Sequence, residues 1–208
     1  MKPKKLIGLT GTYCAGKNHV ARLLEQRGLE TLDVDKLGHA AINTEKERLL
    51  SHFGDDILGQ GGKIDRRRLG ARVFGKNEEL AALENIIHPE MDREILAWID
   101  ARAGKACVIN AALLHRFSVF KAVDAVIIVQ ANFFVRLLRA KKRDRLPWTV
   151  LLERFRSQKK FSSQYSLGKA DTYRVENSGF SGFAGYSFSG RLEKRINEIL
   201  SQMGIEQV

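Results

Sequence analysis

Cysteine, proline and long hydrophobic runs are scarce in this chain of 208 residues, which has two cysteines and three prolines. Two cysteines, Cys14 and Cys107, provide no disulfide framework, which is typical of a reducing compartment. No apolar run approaches the ~20 residues that a membrane-spanning helix needs. The apolar stretch behind the basic first residues is too short for a signal peptide. We therefore expect a cytoplasmic protein with no membrane partner.

Acidic residues are also in the minority: 24 Asp and Glu face 35 Lys and Arg, a formal net charge of +11. The excess is concentrated in residues 136–160, where ten basic residues are opposed only by Asp144 and Glu153. Such a cluster favours an anionic partner: nucleic acid, an acidic surface or a polyphosphorylated small molecule. Phe155, Phe161 and Tyr165 could stack on RNA bases, but packing between helices explains these aromatic residues equally well.

A phosphate-binding pattern stands near the N-terminus. An apolar run leads into G-x-x-x-x-G-K at residues 11–17, and helical spacing follows. In a strand–loop–helix of this kind, backbone N–H groups and the helix N-terminus face the phosphates of a nucleotide, and the lysine reaches the outer ones. The alternative is a glycine-rich turn whose lysine points to solvent. The position between a strand and a helix favours the phosphate loop.

Two residues of this loop leave questions open. Asn18 stands where Ser or Thr usually ligates Mg²⁺, so that its amide oxygen would bind the ion as a poorer ligand or act through a bound water. Cys14 lies near a helix N-terminus, where the pKa of a thiol can fall. A small residue that simply fits there is the commoner case. A reactive Cys14 would be protected from alkylation by a bound nucleotide.

Strand and helix patterns alternate along the chain. Apolar stretches predict strands at residues 5–10, 29–33, 107–109 and 126–129. Helical patterns cover residues 17–27, most of 36–104, 134–160 with an interruption at Pro147, and 191–203. The segment 178–190, rich in glycine and phenylalanine, is predicted to be a loop. This alternation indicates an α/β fold with a parallel sheet flanked by helices.

Further polar residues suggest chemistry near the phosphate loop. Asp33 and Asp35 end the second predicted strand, where a carboxylate either caps a helix or orients and deprotonates an attacking hydroxyl; for the pair, the second role is favoured. His88-Pro89 either ends a helix or lines a pocket. Arginines in the basic cluster form either a solvated helix face or a lid that clamps polyphosphate, and the phosphate loop favours the lid. These arginines are Arg139, Arg143 and Arg154.

Together these patterns resemble the dephospho-coenzyme A kinase family over nearly the whole chain. The similar segments are residues 7–17, L-D-V-D-K-L-G-H at 32–39, I-H-P at 87–89 and the three arginines. The resemblance implies a single domain, 1–208, of the P-loop kinase type. Its parts would be a sheet core (about 1–35, 105–135 and 170–208), a helical acceptor-binding insertion (about 36–104) and a basic helical lid (about 136–165).

The resemblance also implies an activity: ATP-dependent phosphorylation of the ribose 3′-hydroxyl of dephospho-CoA, with Mg²⁺, by a monomer or weak homo-oligomer without a nucleic-acid partner. Asp35 would be the general base, with Lys17 and Arg143 as the other catalytic residues. ATP would contact Gly11, Thr12, Tyr13, Cys14, Ala15, Gly16, Lys17, Asn18, His19, Arg139, Arg143, Arg154 and Asn177. The acceptor would contact Asp33, Asp35, His39, Arg66, His88, Pro89 and Leu114.

A segment near the predicted acceptor site also departs from the family pattern. Residues 112–116 read A-L-L-H-R where the family has Pro-Leu-Leu-x-Glu, so that Arg116 reverses a charge near the acceptor site. With Asn18, this departure keeps two alternatives open. One is a related nucleotide kinase with another acceptor, and the other is a homologue that binds ATP without turnover.

Overall fold

Five short segments form one sheet in the order β2-β3-β1-β4-β5. The strands are β1 (Lys5–Gly11), β2 (Glu30–Asp33), β3 (Ala106–Asn110), β4 (Ala125–Gln130) and β5 (Asp171–Glu176). β1 pairs in parallel with β3 and β4, and β4 pairs in parallel with β5. β1 and β4 are buried along almost their whole length, as strands covered on both faces are. The predicted α/β fold with a parallel sheet is confirmed.

The structure, a computed structural model, describes residues 5–158, 165, 170–179 and 188–205. Its helices are α1 (Lys17–Glu25), α2 (Val34–Thr44), α3 (Lys46–Phe53), α4 (Arg66–Val73), α5 (Asn77–Asp100), α6 (Phe133–Asp144), α7 (Trp148–Ser157) and α8 (Phe188–Gln202). Among the helices in these ranges, none has the length and apolar character needed to cross a membrane. The chain divides into a first unit, residues 1–32 and 99–208, and a second unit, residues 33–98. A single functional domain stays a prediction.

The first unit contains the sheet and a core on one of its faces. Apolar side chains of β1 and β4 pack there with those of α1 and α8, among them Ile7, Ile127, Leu24 and Ile196, which are all fully buried. α8 begins at Phe188, so the loop predicted for residues 178–190 is wrong for its last three residues. Residues 180–187 of that segment lie outside the described residues.

The second unit has a core of its own, formed by Leu49, Phe53, Ile57, Leu69 and further apolar residues. Its longest helix, α5, continues through Pro89. Proline at this position removes the N–H group that would bond to the carbonyl of Asn85. The helix nevertheless continues, with Met91 and Ile95 buried on one face four residues apart. The alternative that His88-Pro89 ends a helix is therefore wrong.

Gly11, the last residue of β1, offers a test of how closely β1 and β4 pack in the sheet. A Cβ atom there would lie 2.9 Å from the carbonyl oxygen of Val129 on β4. We expect Gly11→Ala to lower the free energy of unfolding by about 1–3 kcal/mol, because backbone cannot yield as a side chain can. Gly70→Ala is the control: it lies inside α4 with nothing within 4 Å of the added atom. It should stabilise by about 0.5–1 kcal/mol. Urea unfolding measures both, and equal effects would contradict the prediction.

Candidate active site

The loop between β1 and α1 leaves a helix N-terminus open to an anion. Gly16 occupies the N-cap position of α1 with a φ of +92°, and no side chain caps this end in the described part of the chain. The first N–H groups of a helix have no partner within the helix, and they attract negative charge. Inside the loop, the Ala15 N–H donates to the Thr12 carbonyl at 2.9 Å. The geometry is that of a phosphate loop.

Two predicted ATP ligands, Arg139 and Asn177, meet beneath this loop. Both side chains donate to the carbonyl of Ala15, Asn177 at 2.8 Å and Arg139 at 3.3 Å. The same guanidinium donates to the carbonyls of Asn177 and Gly179, at 2.9 and 2.7 Å. Arg139 and Asn177 therefore fix the shape of the loop itself. Whether either also contacts ATP stays a prediction.

The other two arginines of the predicted lid, Arg143 and Arg154, converge on one acid. Arg143 donates to both carboxylate oxygens of Asp144, at 2.7 and 3.2 Å. Arg154 approaches the same carboxylate at 3.5 Å. The hydrogen bond from Arg143 lowers the pKa of Asp144, which therefore stays ionised at neutral pH. These arginines lie on α6 and α7; the part of the predicted lid after residue 158 is described only at residue 165.

Asn18 has a partner that the sequence analysis did not identify. Asn110, the last residue of β3, donates from its amide nitrogen to the amide oxygen of Asn18 at 3.3 Å. Asn110 is only 2% exposed, and its own amide oxygen is buried with no hydrogen-bond partner among the described residues. Its place at the carboxyl end of a buried strand was the available signal, since ligands bind at that edge.

The predicted acceptor residues lie mostly in the second unit. Asp33 occupies the N-cap position of α2 but makes no capping hydrogen bond, and one of its carboxylate oxygens is buried without a hydrogen-bond partner in the described ranges. Asp35 is exposed in the first turn of α2. His39 and Arg66 line the same cleft of about 640 Å³. His88 and Pro89 lie within α5, half-buried and exposed respectively.

Leu114, also predicted to contact the acceptor, lies in the first unit. It is fully buried, and it packs so closely on Gly8 of β1 that a Cβ atom on Gly8 would lie 2.3 Å from the Leu114 side chain.

The first unit also has a cleft, of about 710 Å³, which the sequence did not predict. Its lining includes Thr12, Phe133, Arg136, Phe155 and Gln158.

Known proteins that are similar to this chain identify its family. The family described as Dephospho-CoA kinase matches residues 5–180. The chain belongs to the dephospho-CoA kinase family. The dephospho-CoA kinase of Treponema pallidum is 33% identical over 210 residues, covering 96% of each chain. That of Treponema denticola is 33% identical over 185 residues, covering 83% of this chain and 82% of its own.

One solved structure has the same fold as this chain. The protein TT1252 from Thermus thermophilus has a TM-score of 0.79 at 28% identity, covering 98% of this chain and 99% of that one. Family membership makes the protein a kinase, a phosphoryl-transferring enzyme, and implies ATP as its phosphoryl donor. The predicted family and enzyme class are thereby confirmed, while the individual site residues stay predictions.

Cys14 of this kinase is expected to react slowly with alkylating reagents. Burial raises the pKa of its thiol, and Arg143 and Arg136 offset only part of that rise, so the suggested lowering of the pKa is wrong. In a Cys107→Ser variant, where Cys14 is the remaining thiol, iodoacetamide should react with Cys14 more slowly than it reacts with glutathione at pH 7. Because the thiolate is the reactive form, the rate should keep rising about tenfold per pH unit from pH 7 to beyond pH 8. A plateau below pH 8 would contradict this, and equal rates with and without ATP would contradict protection by the nucleotide.

Proposed function

We propose that this kinase transfers the γ-phosphoryl group of ATP to the ribose 3′-hydroxyl of dephospho-CoA, which completes coenzyme A. The observation that carries the proposal is the open N-terminus of α1 behind G-x-x-x-x-G-K, next to an arginine cluster on α6 and α7, in a chain of this family. Phosphoryl transfer depends mainly on positioning and charge stabilisation, and these groups can supply both.

The residues divide the work by their chemistry. Lys17 and the N–H groups at the start of α1 hold the outer phosphates of ATP. Arg143 and Arg154 offset the negative charge that spreads over the transferring group. Asp35 accepts the proton of the 3′-hydroxyl while that oxygen forms the new bond to phosphorus and the bond to ADP breaks. Closure of α6 and α7 would keep water from accepting the phosphoryl group.

The acceptor is proposed to bind to the second unit. His39 and Arg66 line one cleft there, and an imidazole beside a guanidinium suits the diphosphate of dephospho-CoA. Asp33 has a buried carboxylate oxygen without a hydrogen-bond partner in the described ranges, which suits a hydroxyl donor of the acceptor. Contacts of the acceptor with His88, Pro89 and Leu114 remain part of the proposal on the family resemblance alone.

Mg²⁺ fits this site through water. No group of three or more His, Cys, Asp or Glu side chains that could hold a metal occurs among the described residues. Mg²⁺ bound with nucleotide needs only one or two protein ligands and keeps several waters. The amide oxygen of Asn18 and the unpartnered one of Asn110 are oxygen acceptors suited to such waters. Bound there, the ion would neutralise charge on the β- and γ-phosphates.

The basic cluster also bears on the choice of partner. Arg136 and Arg139 donate to backbone carbonyls, and Arg143 and Arg154 contact Asp144. Guanidinium groups engaged near the phosphate loop favour a bound polyphosphate over the extended backbone of a nucleic acid. We therefore propose a small-molecule kinase without a nucleic-acid partner. From the family resemblance alone, we also propose that it acts as a monomer or weak homo-oligomer.

A coupled assay of ADP release tests the acceptor. With ATP and Mg²⁺, dephospho-CoA should be phosphorylated with a kcat/KM at least about a hundredfold above that for AMP, CMP or adenosine, because only the full acceptor fills the second unit's cleft. Product analysis should show the new phosphate on the 3′-oxygen. Preference for another acceptor would identify a different nucleotide kinase, and ATP binding without turnover would identify an inactive homologue. Steeply salt-dependent RNA binding would revive a nucleic-acid role.

Substitutions separate the general base from the ATP ligand. Asp35→Ala should abolish turnover while ATP affinity, measured by calorimetry, changes less than about threefold, because the base acts on the acceptor. Lys17→Ala should damage both, since it removes a charge from the ATP phosphates. Asp56→Ala is the matched control, an exposed carboxylate of the same unit as Asp35. Wild-type turnover by Asp35→Ala would refute its assignment as the base.

A further inference from the structure

The side chain of Tyr13, inside the phosphate loop, is surrounded by groups from α6 and α7. Its hydroxyl donates to the carboxylate of Asp144. The guanidinium of Arg143 lies 5.1 Å and that of Arg154 6.0 Å from the centre of its ring. The Phe155 ring meets the Tyr13 ring edge-on at 5.4 Å. The ring is therefore a contact surface for both arginines that converge on Asp144.

The backbone of Tyr13 is bound to the same two helices. Its N–H donates to the amide oxygen of Gln158, just after α7, at 2.7 Å. Its carbonyl accepts from the guanidinium of Arg136, on α6, at 2.8 Å. One residue of the loop thus binds both helices through its N–H, its carbonyl and its side chain. A hydroxyl that stays protonated is suited to this, and burial and Asp144 both raise the pKa of Tyr13.

We propose that Tyr13 is a positioning residue, which holds Asp144, and through it Arg143 and Arg154, at the phosphate loop. Free arginine side chains lose much rotamer freedom when they bind phosphate. A carboxylate fixed by the Tyr13 hydroxyl and shared by both guanidinium groups removes part of that loss before the arginines bind the transferring group in the transition state. This inference rests on the proposed phosphoryl transfer, because it assigns Tyr13 to the arginines that stabilise the transferring group.

Tyr13→Phe tests the hydroxyl alone, because it keeps the ring contacts with both arginines and with Phe155. We expect kcat to fall about tenfold, the effect of losing one hydrogen bond to a charged group, while the Kd of ADP changes less than about threefold. Tyr173→Phe is the control, a half-buried tyrosine of β5. If both variants keep wild-type kcat, or if Tyr13→Phe lowers only the melting temperature, the inference fails.

Asp144→Asn provides a second variant and a coupling measurement. If the hydroxyl acts through Asp144, the double variant with Tyr13→Phe should lose little more kcat than Asp144→Asn alone. Fully multiplicative losses would overturn the inference. Both losses are measured against the turnover of the wild-type protein. If the wild type does not turn over dephospho-CoA, the proposed function is refuted, and kcat no longer tests the role of Tyr13.

In that case a measurement that needs no turnover decides. Amide hydrogen exchange along α7 reports how often this helix opens locally. Tyr13→Phe should speed that exchange at least about threefold, because α7 is less firmly held, while Tyr173→Phe should leave it unchanged. Unchanged exchange in Tyr13→Phe would overturn the inference whether or not the wild type turns over.

Discussion

The carbonyl of Ala15 is the point on which the nucleotide site depends. It ends the turn that precedes α1, and it accepts from Asn177 and Arg139, which come from far along the chain. A buried carbonyl must be paired, so these two donors stabilise one loop shape. Gly16 follows directly, and a side chain there would collide with Asn177 as well as oppose the positive φ. Three separate segments therefore determine how the N-terminus of α1 is presented.

Electrostatics sets a second condition on this site. Four arginines gather around the loop, and positive charges held so close repel one another when no phosphate is present. The structure reduces this cost in two ways. Arg136 and Arg139 donate to backbone carbonyls, while Arg143 and Arg154 share Asp144. These contacts reduce the repulsion among the four arginines and keep their guanidinium groups close to the loop between β1 and α1.

The sequence predicted those parts of the fold in which local pattern and burial agree. β1 and β4 are mostly apolar and were found, as was the helix after the phosphate loop. β5 was missed because its residues are mostly exposed, so that D-T-Y-R-V-E has little apolar character. Pro89 suggested the end of a helix, but the buried face of α5 overrides that local preference. The end of a buried strand marked Asn110 as a candidate, but local patterns could not show that Asn110 binds Asn18 or that Asp144 binds Arg154, because those contacts exist only after folding.

The departure at residue 18 shows why such partners matter. Considered alone, Asn18 is a weaker Mg²⁺ ligand than the Ser or Thr that usually follows the lysine. In the fold it accepts from Asn110, which is buried and needs a hydrogen-bond partner. A serine there, with its shorter side chain, would leave the amide nitrogen of Asn110 harder to satisfy. The two asparagines are therefore matched to one another, and the unusual residue preserves a neutral polar contact between α1 and β3. A motif that describes one position at a time cannot contain that pairing, whereas the fold does.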